Sequence, residues 1–199
     1  MMSRLAGALM AVMLALGMAG PAAAQFSASY NFMKAVKDRD VSGAIELADK
    51  PGSTVVNARD GDTGEAAVHI VTRRGDLGWL GLLYQKGANL NLKDNEGNTP
   101  LILASLTRWS EGVQTLIRLK AQVNLQNRMG ETALLKAVQA RDYALTKALL
   151  DAGASPDIAD NSGISPRIAA NEDARAATIA KLFAAVPEKK TGNMQGPSL

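Results

Sequence analysis

Apolar residues recur along this chain in paired, short bursts of helical period, separated by polar turns rich in glycine, aspartate and asparagine. The pattern predicts helices near residues 29–37, 41–49, 67–74, 77–85, 100–107, 110–119, 133–140, 143–151, 166–171 and 175–185. These ten segments form five helix pairs. Two stretches fall outside the pattern: a longer apolar run from Leu5 to Gly20, and a tail from Pro187 to Leu199 with no apolar period.

The pairs repeat at a fixed interval. Gly64, Gly97, Gly130 and Gly163 are spaced by 33 residues, and the same phase holds for Val71, Ala104, Ala137 and Ala170 and for Leu83, Leu116, Leu149 and Leu182. One helix pair cannot bury its apolar face alone, so a repeat of this length implies units stacked on their neighbours. The alanine column lets adjacent first helices approach closely, and the leucine column fills the layer between repeats. Thr99 and Thr132 are placed to N-cap first helices, and Pro100 fits the first helical turn, where its missing N–H costs nothing. Gly87 and Gly153 follow second helices and act as left-handed stops.

Particular segments now identify the repeat. Gly97-Asn98-Thr99-Pro100-Leu101 and Gly163-Ile164-Ser165-Pro166 resemble the Gly-x-Thr-Pro-Leu of the ankyrin repeat family, and Gly87-Ala88-Asn89-Leu90-Asn91 and Gly153-Ala154-Ser155-Pro156-Asp157 resemble its Gly-Ala-Asp-x-Asn. The resemblance covers residues 29 to 186 and implies an all-α solenoid of about five helix-turn-helix repeats. It also implies a role in gripping another protein through hairpin tips and the concave face of the first helices.

Departures from the pattern carry expectations of their own. Aligning Ala35 with Ala137 gives an offset of 102, three more than three repeats, which places extra residues between Pro51 and Gly64 and one of them in the turn from Asp60 to Gly64. Ala66-Ala67 stand where Thr-Pro is expected, a lost cap worth about 1 kcal/mol. Lys120 occupies the column of Gly87 and Gly153 and is predicted to adopt positive φ at a cost of about 1 kcal/mol. Arg167 stands where Leu101 and Leu134 do, as a polar-faced terminal repeat requires.

The amino-terminal residues read as an export signal: Arg4, the apolar run, then Pro21-Ala22-Ala23-Ala24 as a small-residue box, with cleavage expected after Ala24. The run's sixteen residues span about 24 Å as a helix, short of the roughly 30 Å of a hydrocarbon core. The chain is thus divided into a signal peptide (1–24), a repeat domain (25–186) and a disordered tail (187–199), and is expected in the bacterial periplasm or outside the cell. Removing Arg4 leaves 21 Lys+Arg against 19 Asp+Glu, a net charge of +2. That is too little to argue for nucleic acid or an anionic membrane.

Composition narrows the chemistry. Aromatic residues make up 4 % of the chain, which favours packed helices over a β-sandwich, and there is no cysteine, so disulfides, thiolate metal sites and cysteine nucleophiles are excluded. His69 is the sole histidine, so a histidine metal cluster is impossible and a Ser-His-Asp triad would have one candidate base. It falls where the family has Thr-Pro-Leu-His, which implies an imidazole that braces the turns. The carboxylate pairs Asp60/Asp62 and Glu172/Asp173 read as solvated surface, and no phosphate-binding glycine loop occurs. No cofactor, metal or catalytic residue is assigned, and the protein is read as a non-enzyme.

The resemblance transfers a partner-binding surface column by column. Glu65, Asn95, Glu96, Asn98, Arg128, Met129 and Glu131 lie at hairpin tips, and Arg73, Arg74, Leu106, Thr107 and Gln139 at first-helix ends, forming a line that begins basic and ends acidic with Glu172 and Asp173. Trp79 shares a column with Leu145 and reads as core. Trp109 shares one with Asp76 and Asp142 and is expected to be exposed and available to a partner. The leading reading is a monomeric, non-catalytic protein–protein interaction module in the periplasm that supports an envelope or stress-defence protein. A secreted effector that binds a host protein, or an enzyme on a repeat scaffold, are the alternatives.

Overall fold

The computed structural model describes residues 20–186, with side chains from residue 28. The predicted signal sequence up to residue 19 and the predicted tail from 187 lie outside the described residues. In chain order the helices are α1 (Gly20–Asp38), α2 (Val41–Ala48), α3 (Ala67–Arg74), α4 (Leu77–Gln85), α5 (Pro100–Leu106), α6 (Ser110–Arg118), α7 (Ala133–Gln139), α8 (Tyr143–Asp151), α9 (Pro166–Glu172) and α10 (Ala177–Ala184). Single 3-10 turns lie at Val55–Asn57 and Ala174–Ala176. All ten predicted helices are present, most within a residue or two of the expected ends. The exception is α1, expected from residue 29, which is already helical at Gly20, where the described residues begin. The expected cleavage bond after Ala24 therefore lies within α1.

The first helices form one layer, α1 on α3, α3 on α5, α5 on α7 and α7 on α9, and the second helices pack behind them, α6 on α8 and α8 on α10. The seam between layers is the phased apolar set: Val71, Ala104 and Ala137 are buried without measurable exposure, as are Leu116 and Leu149, and Leu83 is buried with them; in the last repeat Leu182 is only half-buried and Phe183 beside it fills the core. Trp79 is buried beside them, as its column predicts.

Caps set the helix ends. Thr99, Thr132 and Ser165 accept from the backbone N–H of Ile102, Leu135 and Ile168 and so start α5, α7 and α9. Ala66 has no side chain to do this for α3. Asp40, Asp76 and Asp142 start second helices in the same way, accepting from Gly43, Trp79 and Leu145. Lys120 adopts φ 65° between Gly87 at 84° and Gly153 at 86°, as its column requires. A second column of left-handed residues, unforeseen in the sequence reading, ends the first helices: Arg39, Gly75, Arg108 and Arg141, at φ 62°, 68°, 55° and 54°. Arg108 and Arg141 each gain a bond to the following repeat, to the Ala140 carbonyl (2.9 Å) and to Asp173 (2.6 Å), which offsets their backbone strain.

Both departures expected between Pro51 and Gly64 are present. The 3-10 turn Val55–Asn57 buries Val55 and Val56 under the first repeat. The hairpin turn at 60–64 is one residue longer than its successors: Gly64 donates to the Asp60 carbonyl four residues back, whereas Gly97, Gly130 and Gly163 donate three residues back, to Asp94, Asn127 and Asp160. At the other end, Arg167 closes the stack. It pairs with Asp157 (2.6 Å), donates to the carbonyls of Phe183 (2.7 Å) and Val186 (3.2 Å), and lies over the Phe183 ring. A leucine there would leave the last turn of α10 without these donors.

Candidate binding face

The hairpins that carry the expected binding residues are built by one side chain each. Asp60, Asp94, Asn127 and Asp160 point a carboxylate or amide oxygen back into their own turn. Asp94 accepts from the backbone N–H of Glu96 (2.9 Å) and Asn98 (2.8 Å), Asn127 from Met129 and Glu131, and Asp160 from Ser162 and Ile164. In the longer first turn Asp60 accepts from the N–H groups of Asp62 and Thr63 and from the Thr63 hydroxyl, and the two bonds from Thr63 hold its carboxyl below the ordinary carboxylate range. Asp60, half of an expected solvated pair, is thus a turn-forming residue. Asp173 is held low in the same way, first by the Arg175 N–H and then by Arg141. Asp94, Asn127 and Asp160 recur at the 33-residue interval, and Asp60 joins them once the extra residue of its turn is allowed for; that column is the signal that would have identified these four as structural.

Successive tips are stitched together: Asn95 N–H donates to Thr63 O, Arg128 N–H to Glu96 O and Asn161 N–H to Met129 O, each at 2.9 Å. A second seam follows Asn57 and Asn124, which accept from the N–H of Asn89 and Ser155 and donate to the carbonyls of Gly87 and Gly153. These bonds fix the tips in a rigid row.

His69 is completely buried and braces this row. Its Nδ1 accepts from the Ala66 N–H (3.0 Å), so Nε2 carries the proton and donates toward the carbonyls of Leu92 (3.0 Å) and Asn98 (3.2 Å) in the next hairpin. Burial pushes its pKa below the ordinary histidine value, more than the surrounding carbonyls and Asp94 pull it up. The ring is therefore neutral, fully bonded and out of contact with solvent, as the resemblance implies. Among the described residues no cluster of His, Asp and Glu gathers as a metal site, and no helix is long and apolar enough to cross a membrane.

The first-helix ends do point over the hairpins. Lys37 reaches Asp60 (3.5 Å), and Arg73, one repeat on in the same column, lies between Glu65 (2.6 Å) and Asp94 (3.4 Å). Leu106 and Gln139 continue the column; both are exposed, Leu106 by 53 %. Thr107, Asn95, Glu96, Arg128 and Met129 are also exposed, Met129 by 65 %. Glu65 is half-buried against Arg73.

Four expected contact residues are not free surface. Asn98 is buried, donating to Asp94 and Glu96 and accepting from Asn127. Glu131 is buried, taking Asn127 and pairing with Lys136 at 2.6 Å. Arg74 turns inward: it donates to the Val36 carbonyl at the end of α1 (2.9 Å), sits 3.3 Å from Asp76 and lies over the Trp79 ring. The basic start of the line is therefore Lys37 and Arg73, not the arginine pair. Trp109 is half-buried rather than exposed. The column of Trp79 and Leu145 is held by Gly112 in this repeat, and the Trp109 ring lies over that bare backbone and packs on the core.

The comparisons with known proteins agree with this architecture. The family model for ankyrin repeats (3 copies) matches residues 32–127 and 68–161. The chain is 42 % identical over 86 residues to SH3 and multiple ankyrin repeat domains protein 1 of Homo sapiens, covering 42 % of this chain and 4 % of that protein. It is 38 % identical over 88 residues to the human SH3 and multiple ankyrin repeat domains protein 2, covering 42 % of this chain and 5 % of that one. It is 31 % identical over 144 residues to an intracellular phospholipase A2 of Caenorhabditis elegans, covering 67 % of this chain and 13 % of that protein. The matched region is a small part of each of these relatives, and what they share with this chain is the repeat array, whose matched span together with the stacked helix pairs described above makes this chain a member of the ankyrin repeat family.

Proposed function

We propose that this protein is a non-catalytic scaffold that binds another protein through the face shared by its first helices and hairpin tips, after export to the bacterial periplasm. The observation that carries the reading is a row of exposed side chains, Arg73, Leu106 and Gln139 from the helices with Arg128 and Met129 from the tips, mounted on hairpins held rigid by their own Asp and Asn side chains. Exposed Leu106 and Met129 give the row an apolar centre, and apolar anchors ringed by polar groups are the usual source of binding energy at protein interfaces. The lone histidine is consumed in bracing, which supports a role without acid–base chemistry. The apolar run ending in a small-residue box supports export, and a periplasmic partner in envelope or stress defence is the reading we favour.

The test has two arms. Amino-terminal sequencing of the protein recovered from periplasm should begin at Gln25; a chain that starts at Met1 in the cytoplasm overturns the export reading. Affinity capture from periplasmic extract should lose its partner on Leu106→Arg or Arg73→Glu and keep it on Lys147→Glu, on the outer helix α8. Equal capture by all variants contradicts the assigned face.

A further inference from the structure

The expected binding line starts at the second repeat, but the structure opens a cleft one unit earlier. It lies between α1 and the first hairpin, has a volume of about 290 Å³, and is lined by Tyr30, Met33, Lys34, Lys37, Arg59 and Asp60 among others. Two features of this chain create it. Later first helices each follow directly on a hairpin turn, whereas the residues ahead of Tyr30 are helical, from Gly20 onward. The hairpin on its other side carries the extra residue that widens the 60–64 turn.

The lining has a definite chemistry. Met33 is buried at the floor and Tyr30 is 69 % exposed, so an aromatic ring stands unpartnered beside an apolar base. Three cations, Lys34, Lys37 and Arg59, face two carboxylates, Asp38 and Asp60. Asp60 is taken up by its own turn, with Asp62 and Thr63 donating to it. Lys34 and Lys37 pair with Asp38 and Asp60, yet their side chains stay 61 % and 53 % exposed, which leaves donor positions toward solvent. An excess of one positive charge around a small apolar pocket is too little for a phosphate backbone, where affinity comes from many neutralised phosphates. It suits one large apolar side chain flanked by carboxylates.

We propose that this cleft is the anchoring subsite of the binding face, and that it takes an extended acidic segment of the partner protein, with one aromatic or aliphatic side chain against Tyr30 and Met33 and neighbouring Asp or Glu side chains on Lys34 and Lys37. This rests on the reading of the first-helix face as a protein-binding surface and places the partner's acidic end at the first repeat. Continuity supports it: Lys37 is the same column as Arg73, Leu106 and Gln139, so a segment seated in the cleft runs directly onto the rest of the row.

A random dodecapeptide library displayed on phage and selected on the mature chain from Gln25 tests both claims separately. The selected peptides should carry acidic residues around a large apolar one, and their affinity should fall at least about tenfold on Lys34→Glu/Lys37→Glu and on Tyr30→Ala, with folding checked by an unchanged helical circular dichroism signal. If the peptides are insensitive to these changes but lost on Leu106→Arg, the cleft proposal is overturned and the binding face stands. Sensitivity to the cleft variants with none to Leu106→Arg supports the cleft and contradicts the wider row. Selection of basic or sequence-neutral peptides overturns it, as does binding to phosphatidylglycerol vesicles that outlasts all the substitutions.

Discussion

At the residue scale, the four phased glycines are held by two constraints that can be separated. All four adopt positive φ, between 68° and 84°, which penalises any residue with a Cβ by about 1 kcal/mol. A Cβ on Gly97 would also come within 2.7 Å of the Arg128 nitrogen, and one on Gly130 within 2.8 Å of the Asn161 nitrogen, because the next hairpin donates there. Among the described residues no hairpin follows Gly163, and a Cβ there would meet none of them within 4 Å. Gly163→Ala should therefore cost about 1 kcal/mol and Gly130→Ala about 3 kcal/mol in urea unfolding, the difference being the clash between repeats. Lys120→Gly should go the other way and raise the melting temperature, since it relieves a left-handed lysine at an exposed turn. His69 sets a pH dependence. Its folded pKa lies below the unfolded value of 6.5, so its contribution is fully present above pH 6.5 and is lost as pH falls further. The melting temperature should drop between about pH 7.5 and pH 5.5, a window above the carboxylates, and this drop should shrink in His69→Gln. The glycines, Lys120 and His69 were all legible in the sequence because each sits in a column whose other members reveal its backbone. Asn98 and Glu131 were not: the column told that they lie at tips, and only the side-chain network shows them turned inward.

At the element scale, helix ends were readable where a cap names itself, as Thr99-Pro100 and Thr132 do, and misread where a mark of that kind misleads. The beginning of α1 is the clearest case: Ser27 is a capping residue type just before the expected start, yet the chain is helical on both sides of it, from Gly20 onward. Trp109 was misplaced for a related reason. Its column, shared with Asp76 and Asp142, predicted exposure, but the useful signal was Gly112 three residues later, an empty core position that the indole covers. The last element depends on Arg167, whose guanidinium holds the final carbonyls of α10 and the Asp157 carboxylate. Arg167→Leu, although it restores the residue of the inner repeats, should unfasten α10. Hydrogen exchange should then rise in residues 177–184 with α5 and α7 still protected.

At the scale of the whole molecule, each repeat touches its neighbours, so stability and surface shape both propagate along the stack. The interior is uniform, Ala and Leu at fixed places, and the chemistry that differs between repeats lies outside it. Lys37 and Arg73 stand at one end, Leu106 and Met129 at the centre, and Gln139 and Glu172 at the other. That gradient orients a partner more than it strengthens the complex. The architecture was legible from the 33-residue period alone, whereas the cleft beside α1 was not, because it arises from an irregular turn and an absent hairpin, and a period cannot encode its own exceptions. Site-specific photocrosslinking in the cell that makes the protein tests the binding face most directly, with the crosslinker placed at Leu106 and, separately, at Lys147 on the outer helix α8. A discrete protein adduct from position 106 and none from 147 is the expected result; adducts from 147 alone, or from both positions equally, would contradict the assignment.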